Sequence, residues 1–304
     1  LSTLPKILAA DESGGTVTPQ AAERTGLPAG IPVSVGMIDV AITGPGLGAI
    51  KDGDSWLILG TTGFIGTLLP SVAQRHSELS MVLATGRGHQ VLEFLPPMTG
   101  TPNLDWIRRT LAFADWDVAE AEARSVRPGS GGVVYLPYAS PGGERAPFLD
   151  PNASASWLGM SVSTTPAEIL RSVYEGVSFS LVECAEVLKI TGDLVVSGGG
   201  FRSDLICEIL ADTTGQRVVR QAAPEAGARG AATLALVACG EAADLETAAE
   251  MMVTSVSSYE PNPVNHEVYR KAYDVYRLSR DAIRPAWAAM REMRDLSGAE
   301  EAAE

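Results

Sequence analysis

The sequence predicts an α/β fold, because short apolar strands alternate with helix-like segments along the chain. The strand candidates Ser55–Leu59 and residues 194–196 are apolar, and each is followed by a glycine cluster. Residues 167–188 carry apolar side chains at the spacing of an amphipathic helix. A strand at residues 217–220 and a helix at residues 228–239 continue the alternation. In open α/β folds of this kind, ligands bind at the ends of strands.

The region before residue 55 is predicted from shorter signals. Thr18 precedes Pro19–Thr25, and this order predicts a helix that Thr18 caps and that begins with proline. Residues 31–38 are an apolar run that predicts a buried strand ending at Asp39. A glycine-interrupted helix is expected at residues 40–50.

The remaining elements are predicted from the same two patterns, short apolar runs for strands and apolar residues at helical spacing for helices. They are strands at residues 64–69, 81–84, 91–95 and 133–136, and helices at residues 104–123 (with a break near Asp115), 203–213 and 262–293. No internal repeat interrupts this order.

Composition indicates a globular protein. The 304 residues are 45% hydrophobic and 20% charged, and a chain of this length is near the size at which cores begin to split into two domains. No apolar run is long enough to cross a bilayer and no signal peptide is visible, so we expect a cytoplasmic protein without a membrane partner. The chain begins at Leu1 rather than Met, which is compatible with an upstream segment.

Charge and cysteine content exclude two classes of function. A formal net charge of −14 without a basic stripe excludes nucleic acid as a principal partner. ATP remains compatible with this charge, because backbone N–H groups and a bound Mg²⁺ supply local positive potential. Cys184, Cys207 and Cys239 are expected to be buried rather than bridged, and no histidine lies at ligand spacing from them, so we expect no metal site on this chain.

Three strand ends carry the candidate chemistry. The first is Gly36-Met37-Ile38-Asp39, in which an acid at the end of an apolar strand is expected to be half-buried and to face a cleft. Asp39 is either a helix cap or a general base that accepts the proton of an attacking hydroxyl.

The other two strand ends are rich in glycine. Gly60-Thr61-Thr62-Gly63 is either a plain hairpin turn or a phosphate site, because glycines admit a phosphate and threonine hydroxyls donate to it. Ser197-Gly198-Gly199-Gly200 leaves room for a flat ring against the backbone. Neither segment has the spacing of a dinucleotide fingerprint or of a Walker phosphate loop.

Together, the order and spacing of these segments resemble the FGGY carbohydrate kinases. The most specific match is residues 155–160 (ASWLGM), seven further residues, and residues 168–175 (EILRSVYE), which is similar to the family's second signature. Residues 143–153 (GERAPFLDPNA) resemble a stretch of the pentulose and polyol kinases. The resemblance runs from about residue 16 to about residue 240, and it implies the actin-like ATPase (ribonuclease H-like) fold.

The resemblance also implies site roles. It implies that Asp39 is the catalytic base and that Gly60, Thr61 and Thr62 hold the ATP phosphates. It further implies that Gly143 lines the nucleotide cleft, and that the adenosine is bound by Gly198, Gly199 and Ser203, the last at a position where many relatives have Asn.

Two further matches keep alternative interpretations. Glu225 and the Gly230-Ala231-Ala232 segment match a helix start beside the adenosine site, or provide core packing through small residues. Glu144 and Arg145 either belong to the site or pair with each other or with a loop.

The family's other half has no counterpart in the sequence. The Asp-x-Gly-Thr motif that holds Mg²⁺ is missing, since Ile58 stands where its acid would be. The resemblance implies that residues 1–45 are the end of the N-terminal domain and a hinge, that residues 46–295 are the nucleotide-binding C-terminal domain, and that residues 296–304 are a flexible acidic tail.

The expected function is ATP- and Mg²⁺-dependent phosphorylation of a small sugar or polyol, of the pentulose or tetritol class. The missing N-terminal domain, on the same polypeptide or a companion chain, would complete the site, and the resemblance leaves a homodimer open. Alone, this chain is expected to be inactive. The alternatives are a non-catalytic ATP-binding or regulatory module and a different actin-like ATPase.

Overall fold

The computed structural model describes residues 6–222 and 225–297 of the chain. Its strands are β1 (Ser13–Thr16), β2 (Pro32–Ser34), β3 (Ser55–Leu59), β4 (Gly63–Leu69), β5 (Met81–Ala84), β6 (Val91–Leu95), β7 (Val134–Leu136), β8 (Ser156–Leu158), β9 (Leu194–Ser197), β10 (Val218–Gln221) and β11 (Ser255–Tyr259). Its α-helices are α1 (Pro19–Thr25), α2 (Asp39–Gly46), α3 (Pro102–Thr110), α4 (Trp116–Ser125), α5 (Pro166–Val187), α6 (Asp204–Thr214), α7 (Ala226–Ala238), α8 (Leu245–Met252), α9 (Pro263–Ile283) and α10 (Trp287–Leu296).

Seven strands form one mixed sheet in the order β11-β10-β9-β3-β4-β6-β5. Strands β9 and β10 are parallel, with Val195 opposite Val219, whereas β5 and β6 are antiparallel, with Val82 opposite Glu93. Two smaller antiparallel sheets pair β1 with β2 and β7 with β8. The predicted alternation of strands and helices is therefore confirmed, and the fold class is α/β.

Contacts divide the chain into two compact units. The first comprises Leu1–Trp56, Gly66–Phe94 and Gln221–Ser257, and the second comprises Leu57–Ile65, Leu95–Arg220 and Ser258–Glu304. These bounds differ from the predicted domain bounds, which stay a prediction. Most of the predicted acidic tail, residues 298–304, lies outside the described residues.

The second unit is organised around α5. Almost every residue from Leu170 to Ala185 is buried, and the side chains of α5 pack with those of β7, α6 and α9 in one apolar core. Thr165 and Glu168 form a capping box that fixes the first residue of this helix. The pattern at residues 167–188 predicted an amphipathic helix. The helix is present, but it is buried on all sides from Leu170 to Ala185 rather than on one face.

In the first unit, two glycines allow α2 and α7 to touch backbone to backbone. A Cβ atom on Gly46 would overlap the carbonyl oxygen of Ala226, and one on Gly230 would overlap that of Ile42. The interpretation of Gly230 as core packing through a small residue is confirmed. This contact supports α2, the helix that begins at Asp39.

The predicted buried strand at residues 31–38 is wrong. Only Pro32–Ser34 is a strand, and Val33, Val35 and Ile38 are 49%, 47% and 54% exposed. Gly36 adopts a left-handed backbone conformation with φ of 84°, which ends the extended run before residue 38. The apolar run forms the edge of a two-stranded sheet, and residue pattern alone does not distinguish such an edge from a buried strand.

Other expectations need smaller corrections. The helix predicted at residues 262–293 is two helices, because Pro285 lacks a backbone N–H and lies in the 3₁₀ turn Arg284–Ala286 between α9 and α10. Cys239 is exposed, since it is the C-cap of α7, whereas Cys184 and Cys207 are buried as predicted. No local sequence pattern predicted β1, β8, α8 and β11.

We predict opposite stability effects for alanine at two glycines of α7. Gly230→Ala should destabilise the protein by about 1–3 kcal/mol or more, because the new methyl group overlaps the Ile42 carbonyl. Gly227→Ala should be neutral or stabilising by up to about 1 kcal/mol, since its Cβ would meet only Ile42 Cγ2, at 3.9 Å, and alanine favours helix. Urea unfolding of both variants measures the difference. Equal stabilities would contradict the close crossing of α2 and α7.

Candidate nucleotide site

The Gly60–Gly63 segment is a tight turn between β3 and β4. The Gly60 amide donates to the Thr62 carbonyl at 3.1 Å, and the Gly63 amide donates to the Pro97 carbonyl at 3.1 Å. Thr61 is exposed and Thr62 is half-buried. Within residues 6–222 and 225–297, neither threonine hydroxyl has a hydrogen-bond partner, so both are available to a ligand.

A second segment, which the sequence analysis did not single out as a site, supports this turn. The Thr101 amide donates to the Gly60 carbonyl at 2.8 Å, and a Cβ on Gly100 would overlap the Thr61 carbonyl. Gly100 and Thr101 stand immediately before α3, whose first residue is Pro102. The sequence signal that could have identified this segment is the Gly-Thr-Pro triplet. Proline is common at the first residue of a helix, and a glycine just before it often marks a close approach of two backbones.

The glycine loop after β9 reaches the same place. Gly198 has φ of 101°, and a Cβ on it would lie 2.7 Å from the Leu59 carbonyl oxygen and 3.1 Å from Ile58 Cγ2. Since Leu59 directly precedes Gly60, the predicted phosphate turn and the predicted adenosine loop meet at the ends of the neighbouring strands β3 and β9. Gly199 differs, because a Cβ on it would meet no atom within 4 Å.

The loop after Gly198 is held in place from outside the cavity. The guanidinium of Arg220 donates to the carbonyls of Phe201 and Arg202, at 3.0 and 3.2 Å, and to Asp204 Oδ1 at 2.9 Å. The Tyr259 hydroxyl, together with Arg220, holds the pKa of the Asp204 carboxyl below its usual value. These contacts stabilise the 3₁₀ turn Gly199–Arg202.

Ser203 is the N-cap of α6. Its side chain accepts a hydrogen bond from the Ile206 amide at 3.2 Å, so the side chain has a structural role in the absence of ligand. The hydroxyl hydrogen remains able to donate to a ligand. Ser203 also lines the cavity that Gly199 faces.

This cavity has a volume of about 440 Å³ and lies within the second unit. Its lining combines a glycine floor, two aromatic rings and several acidic side chains: Thr101, Leu104, Asp105, Trp116, Asp117, Glu120, Tyr174, Gly199, Gly200, Arg202 and Ser203. Thr101 therefore touches both the cavity lining and the turn at Gly60. A volume of this size accommodates a nucleoside.

Only some of the charged side chains that line the cavity have hydrogen-bond or ionic partners. Glu120 accepts from the Leu205 amide at 3.0 Å and from the Arg124 guanidinium at 3.1 Å, so it ties α4 to α6. Among the residues that the structure describes, the side chains of Asp105, Asp117 and Arg202 have no hydrogen-bond or ionic partner. Carboxylates accept hydrogen bonds from sugar hydroxyls and amino groups, and they repel phosphate.

Glu144 fixes the loop that precedes Gly100. Its buried carboxylate accepts from the amides of Met98 and Thr99, at 2.6 and 3.3 Å, and from the Thr99 hydroxyl at 3.0 Å. Burial raises the pKa of this carboxyl. Arg145 Nε donates to the Pro96 carbonyl, so the interpretation in which both side chains pair with a loop is confirmed.

Gly143 has a packing role of its own. Its φ is 72°, and a Cβ would overlap the Asp150 carbonyl. It does not belong to the lining of the 440 Å³ cavity. Its role at a nucleotide therefore stays a prediction.

The signature at residues 168–175 is mainly structural. Arg171 Nε pairs with Glu175 Oε1 at 2.9 Å inside the core, and burial raises the pKa of the Glu175 carboxyl. Arg171 also donates to the Ala123 carbonyl at the end of α4 and to the Tyr269 hydroxyl of α9. These bonds position α5, and with it Tyr174, at the wall of the cavity.

Asp39 and Glu225 belong to the first unit. Asp39 is exposed rather than half-buried as predicted, because it is the first residue of α2 and follows an exposed loop. Its Oδ1 accepts from the Val40 amide at 2.7 Å. Glu225 has φ of 66° and precedes α7. The role of Asp39 as catalytic base and the place of Glu225 beside the adenosine site stay predictions.

A larger cavity lies elsewhere in the second unit. It has a volume of about 660 Å³, is mostly apolar, and lies between α9, α5 and the segment before β7. None of the predicted site residues lines it.

The described residues offer neither a cluster of metal ligands nor a membrane-spanning helix. Within residues 6–222 and 225–297, no three His, Cys, Asp or Glu side chains are grouped so as to hold a metal ion. In the same part of the chain, the helices are too short or too polar to cross a bilayer.

Comparison with known proteins identifies relatives. The chain is 30% identical to an erythritol kinase of Brucella abortus and 28% identical to a probable L-xylulose kinase of Pasteurella multocida, over 93% of the chain in each case. It spans only 58% and 57% of those two proteins.

The solved structures that superpose on this chain are also sugar kinases. A ligand-bound xylulose kinase of Lactobacillus acidophilus superposes with a TM-score of 0.86 at 26% identity, covering 94% of this chain and 59% of that one. A gluconate kinase of the same organism gives a TM-score of 0.85 at 26% identity with the same coverage. The chain thus has the actin-like ATPase fold of these kinases.

The family itself follows from a profile match. The profile of the FGGY family of carbohydrate kinases, C-terminal domain, matches residues 56–239. This stretch includes all of β3 except Ser55, the turn at Gly60, the whole lining of the 440 Å³ cavity and α7. Because the match covers more than half of the sequence, the chain belongs to the FGGY family of carbohydrate kinases.

Proposed function

We propose that this chain is the ATP-binding part of a kinase that phosphorylates a small sugar or polyol. The observation that carries the proposal is the meeting of two glycine loops at the ends of β3 and β9, beside a cavity of about 440 Å³. The turn at Gly60 offers available hydroxyls, and the cavity offers aromatic rings and carboxylates. This arrangement suits a nucleotide whose phosphates lie at the turn and whose nucleoside lies in the cavity.

In this proposal the phosphates lie on the turn. Thr61 and Thr62 hydroxyls donate to the β- and γ-phosphate oxygens, and the Gly60 segment lets the backbone approach them closely. The carboxylates of Asp105 and Asp117 favour the uncharged nucleoside end in the cavity, because they repel the phosphates. Gly199 and Ser203 then contact the adenosine.

Asp39 serves as the general base. It accepts the proton of the substrate hydroxyl, the hydroxyl oxygen bonds to the γ-phosphorus, and the bond from that phosphorus to the bridging oxygen of ADP breaks. Two observations support this role: Asp39 is exposed, and Oδ2 has no partner among the described residues, so a lone pair is accessible.

The rest of the site would come from outside this chain. The acid that holds Mg²⁺ and most sugar contacts would belong to the N-terminal domain, whether upstream on the same polypeptide or on a companion chain, since Ile58 stands where the family's Mg²⁺-binding acid would be. When bound, Mg²⁺ would stabilise the charge of the transferred phosphoryl group. The erythritol, xylulose, L-xylulose and gluconate kinases among the relatives support a small polyhydroxylated substrate.

The competing proposal is a non-catalytic ATP-binding module derived from such a kinase, which the partial coverage of the relatives favours. An ADP-release assay of the complete protein against pentuloses, tetritols and gluconate distinguishes the two. Turnover that depends on one of these substrates supports the kinase. ATP binding without turnover on any of them supports the module.

We predict that Asp39→Asn lowers kcat of the complete enzyme by about 10²–10⁴-fold, because the amide cannot accept the hydroxyl proton. Affinity of the chain for ADP should not change, since the substitution removes no proposed nucleotide contact. Steady-state kinetics and calorimetric titration measure the two quantities. A near-normal kcat would refute the assignment.

We predict that alanine at two adjacent glycines separates folding from binding. Gly198→Ala should lower the unfolding midpoint, because its Cβ lies too close to the Leu59 carbonyl and its φ is positive. Gly199→Ala should fold normally but weaken ADP binding, since its methyl group projects into open space at the cavity floor. Thermal unfolding and titration with ADP test both. Wild-type ADP affinity in Gly199→Ala would remove this loop from the nucleotide site.

A further inference from the structure

We propose that Trp116 is the platform on which the purine base of the nucleotide stacks. This inference rests on the proposed function and extends it to the way in which the base is held and to a residue that no sequence pattern indicated. Trp116 lines the 440 Å³ cavity together with the glycine floor at Gly199 and Gly200. The residue remains 42% exposed, so part of the ring surface is accessible to a ligand.

The position of the ring is fixed by its helix. Trp116 is the first residue of α4, and Asp115 caps this helix by accepting from the Val118 amide at 2.9 Å. At the other end, Arg171 holds the Ala123 carbonyl at 2.9 Å. Glu120 joins the middle of α4 to the start of α6, next to Ser203. The ring therefore projects from an element that is anchored at three points.

One face of the ring is already occupied. The guanidinium carbon of Arg108 lies 5.1 Å from the centroid of Trp116, a cation–π contact. Arg108 is itself held, because its Nη1 donates to the carbonyls of Phe113 and Ala114 at 3.0 and 3.3 Å. Arg108 does not line the cavity. The cation thus covers the ring from outside the cavity, and the ring surface that lines the cavity remains available to a flat ligand.

The chemistry of the cavity favours stacking over recognition of the base edge. The side chains that lack partners among the described residues are two carboxylates, Asp105 and Asp117, and one guanidinium, Arg202. The carboxylates suit ribose hydroxyls. Stacking depends on the π-face, which every base has, so ADP and GDP should both depend on Trp116. Inorganic tripolyphosphate, which has no base, should not.

The chain offers a matched control. Trp106 is 39% exposed, close to the exposure of Trp116, and its ring packs against Trp157 at a centroid distance of 5.5 Å. Trp106 does not line the cavity. A second control is Trp116→Phe, which retains an aromatic face at the same position.

The experiment is calorimetric titration of the full chain with ADP, GDP and tripolyphosphate. Trp116→Ala should weaken ADP and GDP by about 5- to 100-fold and leave tripolyphosphate unchanged. Trp116→Phe should restore most of the affinity, and Trp106→Ala should bind all three ligands as the wild type does. Quenching of tryptophan fluorescence by ADP should decrease in Trp116→Phe but not in Trp106→Ala.

The other outcomes overturn one proposal or both. If Trp116→Ala retains wild-type affinity for ADP, or loses tripolyphosphate to the same extent, the stacking role is wrong while nucleotide binding stands. A base that binds in the 660 Å³ cavity under α9 would give the first of these results. If the wild-type chain binds none of the three ligands, the proposed function fails as well.

Discussion

The close contact between Gly198 and the carbonyl of Leu59 is the constraint on which the candidate site depends. A side chain at position 198 would push the loop after β9 away from the end of β3, because its Cβ would lie 2.7 Å from that oxygen. With glycine there, two loops that are more than 130 residues apart in sequence lie at one point of the sheet. Everything proposed for the nucleotide requires this proximity.

Further contacts stabilise the same arrangement from its outer side. Glu144 holds the segment before Gly100, which in turn packs against the turn at Gly60, and Arg220 holds the segment after Gly198. Both are charged side chains that bind backbone groups of loops. Because backbone groups are held rather than side chains, the loops keep their shape without contributing bulky residues to the cavity. Such preorganisation reduces the entropy lost when a ligand binds.

Local sequence patterns predicted the regular elements well. Ser55–Leu59, Met81–Ala84 and Val91–Leu95 are strands with the expected bounds, and α1 begins after Thr18 as its capping pattern indicates. The failures involve tertiary context. The apolar run at residues 31–38 has the composition of a buried strand, yet Val33, Val35 and Ile38 in it are about half exposed. Nothing in a local pattern reports what packs against it.

The residues of the candidate site likewise divide into those that a local pattern indicates and those that only the fold brings together. The glycine loops were identifiable, because glycine clusters at strand ends permit close approach of a ligand to the backbone. Four other residues of the cavity lining could not be identified from the sequence, because each is an ordinary residue at a helix start or on a helix surface until the fold places it beside Gly199. They are Thr101, Asp105, Trp116 and Glu120. The roles of Asp39 and of Gly143 remain predictions from the family resemblance.

The short hairpin of β1 and β2 has a practical consequence. Its strands pair only with each other among the described residues, and Val33 and Val35 are about half exposed. A short unprotected edge that carries β-branched residues is a template for intermolecular strand pairing. Self-association during concentration and storage is therefore expected to start at this hairpin, and charged residues introduced there would be the first change to try for handling the purified chain.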